Sequence, residues 1–254
     1  MTFTADFYDQ AQKAIMDTLQ AVRPSLLESF GKDEYTFKSD QTVVTLLDKS
    51  IEHKLREELT KFDSSIGFCG EEMGNEGNDK TFWLIDPIDG TESFIRGIDI
   101  PRNMLTLIDG DKPVMTIVYK FITDELYTAR AGQGAFCNGN PIHVSNRPIK
   151  RAWIEIGMKV SDPEVMDKFV KLSEHIEGYT MIRDFPFVAT GKIDGYVGYK
   201  SGGGDWDYAP RALLVQEAGG RVANIGSDTY DYRNHNFLAA NPVIFDEVMN
   251  ILNS

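Results

Sequence analysis

The stretch Trp83-Leu84-Ile85-Asp86-Pro87-Ile88-Asp89-Gly90-Thr91-Glu92-Ser93-Phe94 places two carboxylates on a stiff turn directly after an apolar run. Residues 82–85 predict a buried strand, because the run is too short and too continuous for an amphipathic helix. Pro87 fixes its own φ and biases Asp86 towards an extended conformation, so we expect the strand to stop there and a turn to begin. The Asp86 and Asp89 side chains are then held in place before any ligand arrives.

A turn of this kind suits a divalent metal ion. Hard divalent ions prefer carboxylate and carbonyl oxygens, and the turn can supply both Asp side chains together with the backbone carbonyl of Ile88. Gly90 lets the backbone pass close to a ligand, and Thr91 could begin a helix whose free N–H groups face an anion. A metal and a phosphate could therefore meet here. The alternative is a purely structural hairpin, which Asp89-Gly90 also signals.

Spacing excludes two covalent phosphatase mechanisms. In haloacid-dehalogenase phosphatases, the Asp nucleophile and a second Asp are separated by one residue before a Gly-Thr pair. The matching position here is Pro87, and Asp86 lies one place too far away. Cysteine phosphatases need a Cys-x5-Arg loop, which neither Cys69 nor Cys137 begins. The spacing favours water as the nucleophile.

Composition bounds the class of protein. The chain has 254 residues, 42% of them hydrophobic, enough for a substantial core in one large domain or in two compact halves that share a cleft. Its net charge of −13 repels nucleic acid and anionic membranes, so we expect neither as a partner. Bound metal ions would reverse the sign of the field locally for a phosphate. With no leader-like start, no membrane-spanning run and only two cysteines, the sequence predicts a soluble cytoplasmic protein.

Periodicity predicts the elements around the central turn. Residues 6–30 predict a helix that is interrupted near Pro24, and residues 42–47 a strand after which Asp48 could cap a helix. That helix is expected to turn four side chains towards water: Glu52, Lys54, Glu57 and Glu58. Residues 64–69 predict a strand that ends at Glu71-Glu72, a pair that could also be merely solvated, and residues 73–80 predict a mobile surface loop.

The second half of the chain repeats strands and helices. We expect a junction between halves at residues 142–150, and a helix from Trp206 that ends at Gly219-Gly220. Asp207 lies in the first turn of that helix, where favourable placement against the helix dipole is the alternative to metal binding. Further strands are expected at residues 103–108, 112–121, 125–131, 153–157, 193–199 and 237–240, and further helices at 165–176 and 242–252.

Taken together, several motifs resemble the inositol monophosphatase family of magnesium-dependent, lithium-sensitive phosphomonoesterases. Each motif is modest alone, but they occur in the order of the family over most of the chain. The matching pieces are Gly70-Glu71-Glu72, Asp86-Pro-Ile-Asp-Gly-Thr91, Gly132-Gln-Gly-Ala-Phe-Cys-Asn-Gly139, Trp206-Asp207 and Glu217-Ala-Gly-Gly220.

The resemblance implies an α/β (α+β) fold, a layered αβαβα sandwich of the inositol monophosphatase and sugar phosphatase type, commonly a homodimer. Residues 1–145 would form an amino-terminal half with most metal ligands, and residues 146–254 a half that supplies Asp207 and the substrate wall. Two or three Mg²⁺ per active site are implied.

The resemblance also assigns roles to residues. Glu71, Asp86 and the Ile88 carbonyl would hold the first Mg²⁺, and Asp86, Asp89 and Asp207 the second. Asp48 would support a weaker third ion. Glu71 with Thr91 would orient and deprotonate the attacking water, with Asp86 the third catalytic residue as the bridge between the ions. The N–H groups of Gly90 and Thr91 would receive phosphate oxygens.

Three departures from the family concern the third metal and the substrate side. Leu47 stands where the family usually has Thr before Asp48. The segment from Arg183 to Ala189 is shorter than its counterpart, although Arg183 could still contact the substrate. The acidic residue that usually receives substrate hydroxyls has no match, and Lys200 could bind a second anionic group or simply be an exposed lysine.

These features predict Mg²⁺-dependent hydrolysis of a small phosphorylated metabolite, with inositol phosphates as the family default. Histidinol phosphate, fructose 1,6-bisphosphate and a 3′-phosphonucleotide stay open as substrates. A catalytically silent relative with a binding or regulatory role is the alternative from another class.

Overall fold

The chain divides into two compact units, residues 1–126 and 127–254. The sequence predicts a division at another position, into a half of residues 1–145 with most metal ligands and a half of residues 146–254 with Asp207 and the substrate wall, and that division stays a prediction. None of the described helices combines the length and the apolarity needed to cross a bilayer. The computed structural model describes residues 3–32, 35–37, 43–158, 161–181 and 185–254.

The first unit places helices on a mixed sheet whose strands follow the order β4-β3-β5-β6-β7. Strand β3 is parallel to β5, and the other neighbours in this order are antiparallel. The helices are α1 (Ala5–Ser29), α2 (Leu46–Phe62) and α3 (Thr91–Ile95). The strands are β1 (Tyr35–Phe37), β2 (Val43–Thr45), β3 (Gly67–Gly70), β4 (Gly74–Glu76), β5 (Thr81–Asp89), β6 (Arg102–Asp109) and β7 (Lys112–Lys120).

The core of the first unit explains why α1 is not interrupted near Pro24. Apolar side chains of α1 and α2 pack with those of β5, β6 and β7 in one buried cluster. The predicted interruption near Pro24 is wrong, since α1 continues through Pro24 to Ser29. Pro24 removes one helical hydrogen bond, but Leu26 beyond it is fully buried in the core, and that burial favours continuing the helix.

Two boundaries near α2 and β4 also differ from prediction. Strand β2 ends at Thr45, so the predicted strand over residues 42–47 is too long at its end, while residue 42 lies outside the described residues. Thr45 is the N-cap of α2, and Asp48 completes a capping box as the third helical residue, with its carboxylate 2.8 Å from the Thr45 backbone nitrogen. The predicted loop over residues 73–80 contains strand β4, which pairs with β3.

The second unit is built on a five-stranded sheet of order β12-β11-β13-β15-β14. Strand β11 is parallel to β12 and β13, and β15 is antiparallel to β13 and β14. The strands of this sheet are β11 (Trp153–Met158), β12 (Gly178–Thr180), β13 (Gly195–Tyr199), β14 (Arg221–Asn224) and β15 (Phe237–Ala240). Three strands precede them along the chain: β8 (Glu125–Arg130), which begins at the unit boundary, β9 (Gly134–Cys137) and β10 (Asn140–Pro141). The helices are α4 (Pro163–Ser173), α5 (Asp205–Glu217) and α6 (Phe245–Asn253).

Helix α5 ends as the glycine signal predicts, because Gly219 adopts a φ of 87°. The last residue of α5, Glu217, accepts hydrogen bonds of 2.8 Å from the backbone nitrogens of Gly132 and Gly134. The glycine-rich run therefore serves the β8–β9 turn, which α5 holds in place. Both units combine helices with strands, so the α/β (α+β) class is confirmed.

Candidate metal and phosphate site

The central turn is a β-bulge rather than the end of a strand. Strand β5 continues to Asp89, and its register against β6 shifts between the pairs Asp86–Met104 and Asp89–Arg102. The predicted stop at Asp86 is wrong because a bulge tolerates Pro87, which has no N–H to donate. The Asn103 side chain instead donates to the Pro87 carbonyl at 2.6 Å.

The bulge brings two carboxylates together. Residues three apart in a regular strand point to opposite faces, whereas the extra residue of a bulge re-aims one of them. Asp86 and Asp89 offer ligand oxygens that lie within 4.8 Å of one another. The Asp86 side chain is 1% exposed, and Asp89 Oδ2 lies 2.6 Å from Nε of the buried Arg102 without the alignment of a hydrogen bond. The turn thus holds two neighbouring carboxylates, one of which pairs with a buried guanidinium.

Gly90 and Thr91 redirect the chain after the bulge. Gly90 has a φ of 84° and precedes the short helix α3, so the structure has a strand-to-helix turn here and not the alternative hairpin. The Thr91 hydroxyl lies 3.0 Å from the Ile88 carbonyl oxygen and 3.2 Å from Asp48 Oδ1, and it can donate to either. This hydroxyl therefore links the carbonyl predicted as a metal ligand to the helix α2 residue Asp48.

Glu71 reaches the same edge of the sheet from β3. Because β3 and β5 are parallel, their carboxyl ends lie side by side, and the Glu71 backbone nitrogen donates to the Ile85 carbonyl at 3.1 Å. Burial raises the pKa of the Asp48 carboxyl to about 6; its hydrogen bonds with Thr45 lower that pKa, while the charges of Glu72 and Glu71 raise it. Asp48 thus shares an acidic field with Glu71 and Glu72.

This raised pKa predicts how stability depends on pH in the metal-free protein. Between the unfolded value near 3.8 and the folded value of about 6, the folded state binds more protons than the unfolded state. The free energy of unfolding should therefore fall as pH rises through that window, by roughly 3 kcal/mol at about 1.4 kcal/mol per pKa unit. We expect Asp48→Asn to remove this slope, because the amide oxygen can still accept from Thr45.

Urea unfolding in excess chelator at several pH values measures the slope. The control is Asp17→Asn, which removes an exposed carboxylate of α1. An Asp48→Asn slope equal to that of the wild-type protein would contradict this assignment.

The second unit holds the other predicted residues. Asp207 lies in the first turn of α5, where its Oδ2 accepts from the Gly204 backbone nitrogen at 2.6 Å, as expected for a capping carboxylate. The Lys200 ammonium lies 3.0 Å from Asp162 Oδ2 and 2.7 Å from Glu164 Oε2, so a substrate anion would compete with two carboxylates. Arg183 falls outside the described residues. The roles of all three stay predictions.

Two side chains at this site were missed from the sequence. Glu52 was expected to face water, but it is fully buried and accepts from the Glu72 backbone nitrogen at 2.8 Å. The available signal was the spacing of Asp48, Glu52 and Arg56, which stacks three charged residues on one helical face. Arg102 carried no signal, because its pairing with Asp89 depends on the register across the bulge.

The donors on this turn fit a hard divalent cation. The candidate ligands in the first unit are carboxylate oxygens of Glu71, Asp86 and Asp89 and the carbonyl oxygen of Ile88, the donor type that Mg²⁺ prefers over nitrogen or sulfur. Two of these carboxylates already lie close enough for one ion to contact both. The residues present therefore fit the metal that the resemblance implies.

Comparison with known proteins agrees with this donor set. A family model, the inositol monophosphatase family, matches residues 3–253. The chain is 31% identical over 266 residues to inositol monophosphatase 2 of Solanum lycopersicum, with 98% of each chain covered. It is 28% identical over 239 residues to a fructose-1,6-bisphosphatase/inositol-1-monophosphatase of Aquifex aeolicus (strain VF5), with 89% of each covered.

Solved structures show the same fold. The IMPase of Thermotoga maritima matches with a TM-score of 0.84 at 25% identity, and the match covers 96% of this chain and 97% of that chain. The expected fold type is thereby confirmed. With a family model that spans nearly the whole chain, this protein belongs to the inositol monophosphatase family.

Proposed function

We propose that this phosphatase is a Mg²⁺-dependent, lithium-sensitive phosphomonoesterase that acts on a small soluble phosphate ester, with an inositol phosphate as the default substrate. The observation that carries the proposal is the pair of carboxylates on the β5 bulge, whose oxygens lie within 4.8 Å of one another beside the Ile88 carbonyl. Arg102 pairs with Asp89, and the Asp86 carboxylate on the same bulge is 1% exposed, so two carboxylates are held close together at a buried position. Burying carboxylates is costly, and a bound cation would offset that cost.

The metal ligands are those that the family resemblance implies. Glu71, Asp86 and the Ile88 carbonyl would hold one Mg²⁺, and Asp86, Asp89 and Asp207 would hold another, with Asp48 available to a weaker third. When bound, Mg²⁺ supplies charge neutralisation for the phosphate and the leaving oxygen.

The remaining chemistry belongs to side chains and backbone of this chain. Thr91 can direct its hydroxyl hydrogen to Asp48 Oδ1 or to the Ile88 carbonyl, so its oxygen can accept a hydrogen bond from water. With Glu71 as the base, Thr91 orients that water for in-line attack on phosphorus. The backbone N–H groups of Gly90 and Thr91 receive phosphate oxygens.

The proposed reaction leaves open which phosphate ester is the substrate. The Aquifex aeolicus relative carries both fructose-1,6-bisphosphatase and inositol-1-monophosphatase in its name. Inositol phosphate and fructose 1,6-bisphosphate are therefore candidates for this chain, and histidinol phosphate and a 3′-phosphonucleotide stay open from the family resemblance. The enzyme would work in the cytoplasm as a homodimer.

Phosphate release from those four esters, measured with Mg²⁺ and with chelator, tests the proposal. We expect release from at least one ester in Mg²⁺, none in chelator, and a lower rate when Li⁺ is added. A folded protein that releases phosphate from none of the four would favour a binding or regulatory role instead.

A further inference from the structure

Helix α2 carries a buried charged stripe of three residues, two of which, Glu52 and Arg56, the proposed chemistry does not use. Asp48, Glu52 and Arg56 recur at intervals of four residues, so they lie above one another on one face of the helix. They are 0%, 0% and 5% exposed, respectively. Asp48 caps the start of α2, whereas Glu52 and Arg56 face the segment that follows β3. Such burial of charge is costly, which calls for a reason why Glu52 and Arg56 are there.

Glu52 binds the backbone on the carboxyl side of Glu71. Its Oε2 accepts from the Glu72 nitrogen at 2.8 Å, and its Oε1 accepts from the Met73 nitrogen at 3.2 Å. The Glu71 nitrogen itself donates to the carbonyl of Ile85 in β5 at 3.1 Å. Three consecutive amides are thus fixed, one by β5 and two by α2, and they determine where the Glu71 side chain begins.

Arg56 compensates the buried negative charge of Glu52. Its Nε and Nη2 lie 3.0 Å and 2.6 Å from Glu52 Oε1, which neutralises the buried carboxylate. The same guanidinium donates to the Gly74 carbonyl at 2.5 Å and to Glu76 Oε2 at 3.1 Å. Arg56 therefore ties strand β4 to α2. The Glu52–Arg56 pair as a whole adds no net negative charge to a region that already holds Asp48 and Glu71.

Gly70 shows how closely Glu52 approaches the chain. A Cβ at Gly70 would lie 1.9 Å from Glu52 Oε1 and 2.3 Å from Glu52 Cδ, far inside contact distance. Gly70 has no positive φ, so alanine is not excluded there by backbone conformation. The glycine is needed because the carboxylate occupies the space of a side chain.

We propose that Glu52, neutralised by Arg56, is a positioning residue that holds Glu71 in the geometry required for cation binding and catalysis. The inference rests on the proposed function of Glu71. Groups that orient metal ligands typically change metal affinity or activity by about 10- to 100-fold when they are removed. Glu52 would act through the Glu72 and Met73 amides and would not touch the ion.

The test uses two variants that remove the same contact from opposite sides. Glu52→Gln keeps the volume but replaces one acceptor oxygen with a donor, and Gly70→Ala displaces the intact carboxylate. Glu57→Gln is the matched control, because Glu57 lies on the exposed face of the same helix. Mn²⁺ affinity by calorimetry, amide hydrogen exchange of the metal-free protein and the unfolding temperature are measured for each full-length protein.

We expect both variants to lose Mn²⁺ affinity by about 10- to 100-fold and the Glu57→Gln control to bind as the wild-type protein does. Amide exchange should accelerate at Glu72 and Met73 in both variants. Variants that melt earlier but bind Mn²⁺ normally, well below their unfolding temperature, would reduce Glu52 to a structural role and overturn the inference. A wild-type protein that binds no Mn²⁺ would instead overturn the proposed function.

Discussion

Asp86→Asn is expected to lower phosphate release by at least about 10²–10³-fold, the usual effect of removing one preorganised electrostatic contact to the transition state. Asp86 is the residue proposed to contact both ions, and its side chain is 1% exposed. The amide has nearly the same volume, so the packing at the β5 bulge should persist. Steady-state kinetics with the best ester of the panel measure the loss.

Thermal unfolding of Asp86→Asn separates lost binding from lost folding. Wild-type protein should gain stability from Mg²⁺, by about 2.7 kcal/mol at a concentration about 100-fold above its Kd. The variant should lose this gain, although it should be at least as stable as the wild type without metal, because one charge has left an acidic turn. Asp79→Asn, at an exposed position of the same unit, is the control. An Asp86→Asn protein that keeps its Mg²⁺-dependent activity would remove the proposed bridge.

Asp194→Ala is expected to destabilise the protein by about 3–5 kcal/mol, because it removes one buried acceptor from several donors and each buried donor left unsatisfied costs about 1–3 kcal/mol. The Asp194 carboxylate is fully buried and lies 2.8 Å from Arg147 Nε. It also accepts from the Ser145 hydroxyl, from the Trp153 backbone nitrogen at 2.8 Å and from Asn241 Nδ2 at 3.4 Å. The variant removes the acceptor that these donors share, although Asn241 Nδ2 can still donate to Ser145 Oγ and Arg147 Nη2 to the Gly191 carbonyl.

Urea unfolding followed by circular dichroism measures that cost. Asp167→Ala serves as the control, because it removes an exposed carboxylate of α4 and should change the free energy of unfolding by less than about 0.5 kcal/mol. A loss for Asp194→Ala as small as that of the control would show that solvent replaces the network.

Local signals predicted the elements well where burial and propensity agree. The apolar run before Asp86 forms β5, and Gly219 ends α5 in the expected left-handed conformation. Prediction failed where tertiary contacts outweigh local preference. The core contact of Leu26 carries α1 past Pro24, and the Asn103 side chain supports β5 past Pro87.

The candidate site shows the same limit. Asp86 and Asp89 were identifiable because their residue types and spacing suit a cation, and the structure brings them within one ion's reach. Glu71 was identified only through the family resemblance. The burial of Glu52 could not be read from its own neighbours, since Glu57 and Glu58 on the same helix are exposed as predicted. The reason for it lies in the Glu72 and Met73 amides, about twenty positions away.

Anomalous X-ray scattering from crystals of the wild-type protein grown with Mn²⁺ tests the central claim most directly. Carboxylates on the β5 bulge are predicted to hold the ion, so we expect anomalous peaks about 2.0–2.6 Å from oxygens of Asp86, Asp89 and the Ile88 carbonyl. Asp207 should complete the second site. Crystals grown with saturating Mn²⁺ that show no anomalous peak at Asp86 or Asp89 would contradict this claim.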